Sequence, residues 1–109
     1  MEPPIVGAQE VKKDLSQPKV MIIDVREKKD YDKGHVPGAV FAEIKDIEEL
    51  KPRLEEAEKI YVYSNDYDCP ASTIASKEIM KMGFNNVYDF KGSYKEWVDK
   101  GYQIESSIE

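Results

Sequence analysis

The sequence predicts an α/β domain built on a parallel β-sheet with helices on both faces. Short apolar runs rich in β-branched residues alternate with segments of helical spacing along the whole chain. Strands separated by helices pair in parallel, and their crossovers place the helices on both faces of the sheet. No internal repeat or linker interrupts this alternation. We therefore expect a single domain over residues 1–109, with a core at about residues 5–102 and a short acidic tail, residues 104–109, that is frayed.

Three segments are predicted to form strands. Residues 20–25 are a continuous apolar block, which is typical of a strand covered on both faces. Residues 59–63 and 86–90 resemble this block, but their apolar pattern is weaker. Tyr61 and Tyr63 alternate with aliphatic residues in the second of these strands, and we expect both to be core or half-buried.

Helical spacing is found over residues 8–15, 48–57, 71–82 and 94–100. The predicted apolar face of the third helix consists of Ile74, Ala75, Ile79 and Met82. Pro70 fits the first turn of that helix and Gly83 fits its C-terminal end. These boundary residues strengthen the helix prediction.

Composition excludes several classes of function. The chain has a formal net charge of −6, and its lysines are interleaved with acidic residues, so we expect no nucleic-acid partner. With one cysteine and one histidine, no transition-metal site is predicted, and no cofactor is expected. No apolar run approaches the ~20 residues of a membrane span, and residues 1–10 lack a leader pattern. Because a lone cysteine suits a reducing compartment, the predicted location is cytoplasmic, without membrane association.

Ligands of parallel α/β sheets bind at the carboxyl ends of the strands. Three predicted loops lie there, over residues 26–30, 34–39 and 64–72. We expect any chemistry at these loops.

The residues of these loops resemble the paired signature of rhodanese-like domains. The likeness is carried by the segment IDVRE at residues 23–27, by Tyr31 and by the segment GHVPGA at residues 34–39. It continues through Ser72, Ala75, Gly83, Phe84, Val87, Gly92 and Trp97, and so covers residues 5–101. The resemblance implies the rhodanese fold, a small parallel sheet of about four to five strands with helices on both faces.

The resemblance also implies sulfur transfer by a cysteine that directly follows the central strand. This chain has Ser64 at that position. A serine cannot form the persulfide that a thiolate forms, and its hydroxyl stays protonated at neutral pH without a partnered base. The loop at residues 64–72 is also about two residues longer than the common form, and it resembles a subgroup with a second cysteine near the end of the loop.

Cys69 is the candidate sulfur acceptor because it matches that second cysteine. It precedes Pro70, and we expect it at the N-cap of the following helix, where unpaired amides favour a thiolate. Asp66 and Asp68 flank it, and their charges should raise the pKa of its thiol. From the sequence these effects oppose each other, so reactivity and inertness remain equal alternatives.

Other residues are predicted to support the site. The resemblance implies that Asp24 and Arg26 orient the loop, and a structural ion pair between them is the favoured interpretation. His35 is a candidate proton shuttle, although packing and hydrogen bonding are favoured. Tyr67 is expected at the loop tip, where it either contacts a partner protein or lines a pocket mouth, or else folds over the domain, and the two interpretations are equally good. Asp66 and Ser72 complete the predicted loop-supporting set.

Three functional hypotheses follow. The first is an atypical sulfurtransferase or persulfide carrier that moves sulfane sulfur from thiosulfate or polysulfide to a thiol acceptor, either a small molecule or a protein. The second is an inactive rhodanese-like module that binds a protein partner. The third is an active sulfurtransferase in which Ser64 is an engineered replacement of cysteine. Phosphatase activity is not expected, because neither Arg26 nor Arg53 lies in the loop where a phosphate clamp is required.

Overall fold

The computed structural model describes residues 2–107 and confirms the predicted α/β class. Four strands form one parallel sheet in the order β2-β1-β3-β4. The strands are β1 (Val20–Asp24), β2 (Val40–Phe41), β3 (Lys59–Tyr63) and β4 (Val87–Asp89). The α-helices are α1 (Ala8–Asp14), α2 (Lys28–Lys33), α3 (Lys51–Glu56), α4 (Ala71–Lys81) and α5 (Ser93–Asp99), and a 3₁₀-helix covers Ile44–Leu50.

The register of the sheet places the carboxyl ends of β1 and β3 side by side. Asp24, the last residue of β1, pairs with Phe41 on one side and with Tyr63, the last residue of β3, on the other. The residues that follow β1 and β3 therefore emerge side by side at one edge. At the outer side of β4, Ile5 forms a parallel bridge with Asp89 and extends the sheet.

The sheet separates two apolar cores, because successive residues of a strand point to opposite faces. Ile23 and Val62 pack on the face covered by α3, α4 and the 3₁₀-helix. Ile22, Tyr61 and Tyr63 pack on the opposite face, with aromatic side chains of β4 and α5. Both tyrosines are fully buried, so their assignment to the core is confirmed.

Several local predictions were incomplete. The short strand β2 and the helix α2 were not predicted, because β2 has two residues and no residue of α2 is buried. The single helix predicted over residues 48–57 is only partly confirmed, since α3 covers Lys51–Glu56 of that range. The chain there forms the 3₁₀-helix followed by α3, with a proline in the first turn of α3.

The predicted apolar face of α4 is also partly wrong. Ala75 and Ile79 are fully buried and Met82 is partly buried against the same core, but Ile74 is exposed. Ile74 is turned about 100° from its neighbour Ala75 around the helix axis. The face that contacts the sheet is thus narrower than the apolar pattern suggested.

The acidic tail was predicted to be frayed from residue 104, and this is wrong as far as residue 107. Glu105 and His35 form an antiparallel bridge, with N···O distances of 2.8 and 2.9 Å. A carboxylate oxygen of Glu105 accepts the N–H of Gly38 at 2.9 Å, and Ser107 N–H bonds to the carbonyl of Asp32 at 2.9 Å. Residues 108 and 109 lie outside the described residues.

Within residues 2–107, no helix combines the length and the apolar character that crossing a membrane requires.

Candidate functional site

Ser64 and Cys69 meet at the carboxyl edge of the sheet. Ser64 directly follows β3 and is 1% exposed, and Cys69 lies half-buried just before α4. The distance between Ser64 Oγ and Cys69 Sγ is 3.3 Å, within hydrogen-bonding range for sulfur. The loop thus folds back so that its two candidate residues are in direct contact.

Both residues line an open depression of about 700 Å³. Its walls come from the loops after β1 and β3 and from the start of the 3₁₀-helix. Four cationic side chains and two carboxylates line it: Arg26, Lys28, Lys29 and Lys45, with Glu27 and Glu43. Two of the three predicted loops therefore form the site. The loop at residues 34–39 contributes no lining residue.

The carboxylate of Asp66 organises the turn that precedes Cys69. Its Oδ1 accepts the backbone N–H groups of Asp68 and Cys69, both at 3.0 Å, in an Asx turn. The carbonyl of Asp66 accepts the N–H of Cys69 as well, at 3.2 Å. Asp66 therefore supports the loop, and these two N–H groups offset part of the negative charge of its carboxylate.

The N-cap prediction for Cys69 is wrong by one residue. Pro70 is the N-cap and α4 begins at Ala71, so Cys69 lies one residue before the cap. Pro70 has no backbone N–H to donate. The turn formed by Asp66 includes Cys69, so Cys69 lies in this turn and not in the helix. The backbone N–H of Ala71, in the first turn, still bonds to the thiol.

The environment of Cys69 favours its thiolate. Burial raises the pKa of the thiol, but three hydrogen bonds lower it, from the Ser64 hydroxyl and from the backbone N–H groups of Ala71 and Asn65. The charge of Asp66 raises the pKa again. The net pKa of Cys69 lies below its ordinary value. The hydrogen-bond donors outweigh both the burial and the nearby aspartate.

Asp24 and Arg26 form a buried ion pair beneath the depression. The guanidinium donates to both carboxylate oxygens of Asp24, at 2.8 to 3.2 Å, and to the carbonyl of Gly34 at 2.5 Å. The hydroxyl of Tyr63 donates to the same carboxylate at 2.6 Å and accepts the N–H of Val36 at 3.1 Å. This network ties the ends of β1 and β3 to the loop at residues 34–39.

His35 lies outside the depression. Its ring stacks on Tyr31 at 3.9 Å between centroids, and its Nδ1 bonds to the carbonyl of Tyr31 at 2.7 Å. Its backbone forms the bridge to Glu105. These contacts are those of a packing and hydrogen-bonding residue, and none of them reaches Cys69.

Tyr67 and Ser72 differ in exposure. Tyr67 is 57% exposed at the loop tip, where the ammonium of Lys91 lies 4.4 Å from the ring centroid and donates to the Tyr67 carbonyl at 2.7 Å. Ser72 is fully buried, and its hydroxyl has no hydrogen-bond partner among residues 2–107. Tyr67 is therefore available for contacts, whereas Ser72 is a packing residue.

One residue at the site was missed by sequence reasoning. Ser93, at the start of α5, is fully buried with a positive φ of 63°, and its hydroxyl accepts the N–H of Ser64 at 2.9 Å. A serine before a helical segment resembles many ordinary helix starts, so no local pattern indicated this contact. Over residues 2–107, no group of three or more histidine, cysteine, aspartate or glutamate side chains is placed to hold a metal ion.

Comparisons with known proteins identify the family. The model of the rhodanese-like domain family matches residues 7–100. The chain is 30% identical over 79 residues to "Putative sulfur carrier protein YrkF" of Bacillus subtilis, covering 72% of this chain but only 42% of that protein. It is 23% identical over 78 residues to the thiosulfate sulfurtransferase GlpE of Coxiella burnetii, covering 72% of this chain and 71% of the other.

A solved structure supports the same assignment. The solution structure of a rhodanese-like domain from Anabaena sp. superposes with a TM-score of 0.81 at 30% identity, covering 97% of this chain and 80% of that domain. The family match spans nearly all of the sheet and both layers of helices. The chain therefore belongs to the rhodanese-like domain family.

Proposed function

We propose that this chain is an atypical sulfurtransferase or persulfide carrier in which Cys69 accepts a sulfane sulfur from thiosulfate or polysulfide. The observation that carries the proposal is the 3.3 Å contact between Ser64 Oγ and Cys69 Sγ at the carboxyl edge of the central strand. The contact brings the chain's one cysteine to the edge where parallel sheets bind ligands, beside hydrogen-bond donors that favour a thiolate.

The reaction has two steps. The Cys69 thiolate attacks the outer sulfur of thiosulfate, a new S–S bond forms, and the S–S bond of the donor breaks to release sulfite. The product is a Cys69 persulfide anion. An acceptor thiolate then attacks the outer sulfur of the persulfide, leaving the acceptor as a persulfide and Cys69 as a thiolate. No external oxidant or reductant is consumed.

In this proposal Ser64 donates a hydrogen bond to the sulfur of Cys69 and does not attack the sulfur-donating molecule. Its position directly after β3 is where the family resemblance implies the nucleophile, but an alcohol does not form a persulfide. Its hydroxyl can donate to the thiolate and, after transfer, to the charged sulfur of the persulfide. Asp66 organises the turn before Cys69, and Asp24 and Arg26 fix the end of the strand from which the loop begins.

Intact-mass spectrometry tests the proposal. Wild-type protein incubated with thiosulfate, and separately with polysulfide, should gain the mass of one sulfur atom, and Cys69→Ser should gain none. Ser16→Ala is the control variant, since Ser16 precedes β1 and is exposed at the opposite edge of the sheet. An unchanged wild-type mass with both donors would overturn the assignment of Cys69 as sulfur acceptor.

A second candidate function is a non-catalytic binding module, favoured by the presentation of Tyr67. An exposed aromatic held by a lysine and by a hydrogen-bonded loop is preorganised for contact with a partner protein. This function predicts no sulfur gain. It predicts that Tyr67→Ala weakens partner binding at least about tenfold, as expected for a truncated anchor residue, while Cys69→Ser leaves binding unchanged.

A cytoplasmic location belongs to the proposal as well, because an unpaired, half-buried thiol suits a reducing compartment.

A further inference from the structure

The start of α5 holds the first two residues of the active-site loop. Ser93 Oγ accepts the N–H of Ser64 at 2.9 Å, and the N–H of Tyr94 donates to the carbonyl of Ser64 at 3.1 Å. The N–H of Lys95 donates to the carbonyl of Asn65 at 2.9 Å. Three successive residues of α5 therefore fix the peptide groups at Ser64 and Asn65.

Ser93 makes its contact from a strained backbone conformation. Its φ of 63° lies in the left-handed region, which disfavours a residue with a Cβ atom, and its side chain is fully buried. Its hydroxyl also donates to the carbonyl of Phe90 at 3.1 Å, so it joins the segment after β4 to the residue after β3. A glycine would adopt this backbone freely, but it would leave the buried N–H of Ser64 without its acceptor.

The two residues held in this way are the ones that donate to the sulfur. The hydroxyl of Ser64 is 3.3 Å from Cys69 Sγ, and the backbone N–H of Asn65 bonds to the same thiol. The N–H of Ser64 belongs to the peptide that joins it to Tyr63, and its carbonyl belongs to the peptide that joins it to Asn65, so the bonds from Ser93 and Tyr94 fix the backbone on both sides of Ser64. A rotation of this backbone would move the Ser64 hydroxyl and the Asn65 N–H away from Cys69. The backbone orientation of Ser64 therefore controls how strongly the loop stabilises negative charge on the sulfur.

We propose that Ser93 is a positioning residue of the sulfur site, whose hydroxyl holds the N–H of Ser64 and so orients the backbone of Ser64, with the result that the Ser64 hydroxyl and the Asn65 N–H donate hydrogen bonds to Cys69. The inference rests on the proposed function in treating Cys69 as the reacting group. It adds a residue on a separate element that does not touch the sulfur and acts through Ser64. It also explains why a strained serine occupies this buried position, where only a side chain can supply the acceptor.

The pH dependence of alkylation tests this role. Because the chain has one cysteine, the rate of iodoacetamide modification against pH reports the thiolate of Cys69 alone. Loss of one ordinary hydrogen bond corresponds to about half a unit to one unit of thiol pKa, or about a three- to tenfold change in the acid dissociation constant of the thiol. We expect Ser93→Gly to shift the midpoint of the profile upward by that amount, with Ser93→Ala shifting it in the same direction.

The choice of glycine separates positioning from structural support. Ser93→Gly relieves the backbone strain, so the variant should remain folded, with its thermal midpoint retained within a few degrees. Ser76→Ala is the matched control, since Ser76 is a fully buried serine whose hydroxyl lacks a partner within residues 2–107. It should leave the alkylation profile unchanged. A folded Ser93→Gly variant with the wild-type profile overturns the proposal, as does a Ser93→Gly variant that is unfolded at 25 °C.

A double-mutant cycle tests whether Ser93 acts through Ser64. In the Ser64→Ala background, Ser93→Gly should shift the midpoint by less than it does in the wild type, because one of the two donors is already absent. Fully additive shifts would overturn the route through Ser64. The alkylation profile does not depend on sulfur uptake. If Ser93→Gly shifts the profile while the wild type takes up no sulfur, the positioning role stands and the proposed function fails.

Discussion

The hydroxyl oxygen of Ser64 lies 3.3 Å from the sulfur of Cys69, although five positions separate the two residues in the chain. The contact depends on the turn formed by Asp66, which folds the loop back on the end of β3. It joins the residue at the position where the family resemblance implies a nucleophile to the one cysteine of the chain.

Ser64→Ala should raise the pKa of the Cys69 thiol by about half a unit to one unit, because the variant loses one donor to the thiolate. The reactive form is the thiolate, so sulfur uptake by the wild type rises as the pH increases through the lowered pKa of Cys69. In the variant this rise should occur at higher pH. Initial rates of thiosulfate-dependent mass gain between pH 5 and 9 measure the shift. Coinciding profiles would contradict the hydrogen bond from Ser64.

Ser64→Cys should create a dithiol at the site, since the substituted sulfur would lie close to that of Cys69. Under mild oxidation we expect an intramolecular disulfide, detected as the loss of two hydrogens in the intact mass. If Ser64 replaces a native nucleophile, thiosulfate uptake should also increase, by about tenfold or more. Ser16→Cys, at the opposite edge of the sheet, is the control. No gain in uptake would contradict the hypothesis that Ser64 replaces a cysteine nucleophile.

Asp24→Ala should destabilise the fold strongly. Asp24 is fully buried and accepts hydrogen bonds from Arg26 and Tyr63, so its loss leaves the buried guanidinium without its counterion. Removing one partner of such a pair costs about 3–5 kcal/mol. Urea unfolding monitored by circular dichroism measures the change. Asp99→Ala, which breaks an exposed pair with Lys95, should have no measurable effect. A loss below about 1 kcal/mol for Asp24→Ala would show that the pair contributes little.

Residues 104–107 should behave as part of the folded domain. The amides of His35 and Glu105 bond to each other's carbonyls, so both should exchange with solvent at least about tenfold more slowly than free amides. Native-state hydrogen exchange followed by NMR measures both rates. Deletion of residues 105–109 should return the His35 amide to fast exchange. A Glu105 amide that exchanges at the free rate would restore the frayed tail that the sequence suggested.

The fold could be predicted largely from local pattern. The apolar run that became β1 and the helical spacing that became α4 are properties of contiguous residues, and each depends on burial of one face or both. The elements that were not predicted have little apolar content of their own. The helix α2 has no buried residue, and the bridge between His35 and Glu105 is formed by backbone groups that are distant in sequence. Neither leaves a periodic signal.

The sequence alone determined the α/β class, the family resemblance, the presence of a single thiol and the position of Ser64 directly after a predicted strand, because each depends on residue identity and spacing. The tertiary structure decided the direction in which the pKa of that thiol is shifted. The opposing influences on Cys69 were resolved by hydrogen-bond geometry, since donors within reach of the sulfur outweigh both its burial and the charge of Asp66. It also placed His35 away from the sulfur and brought Ser93 against Ser64 across 29 positions of the chain. Such contacts arise from packing between elements, and no short stretch of sequence encodes them.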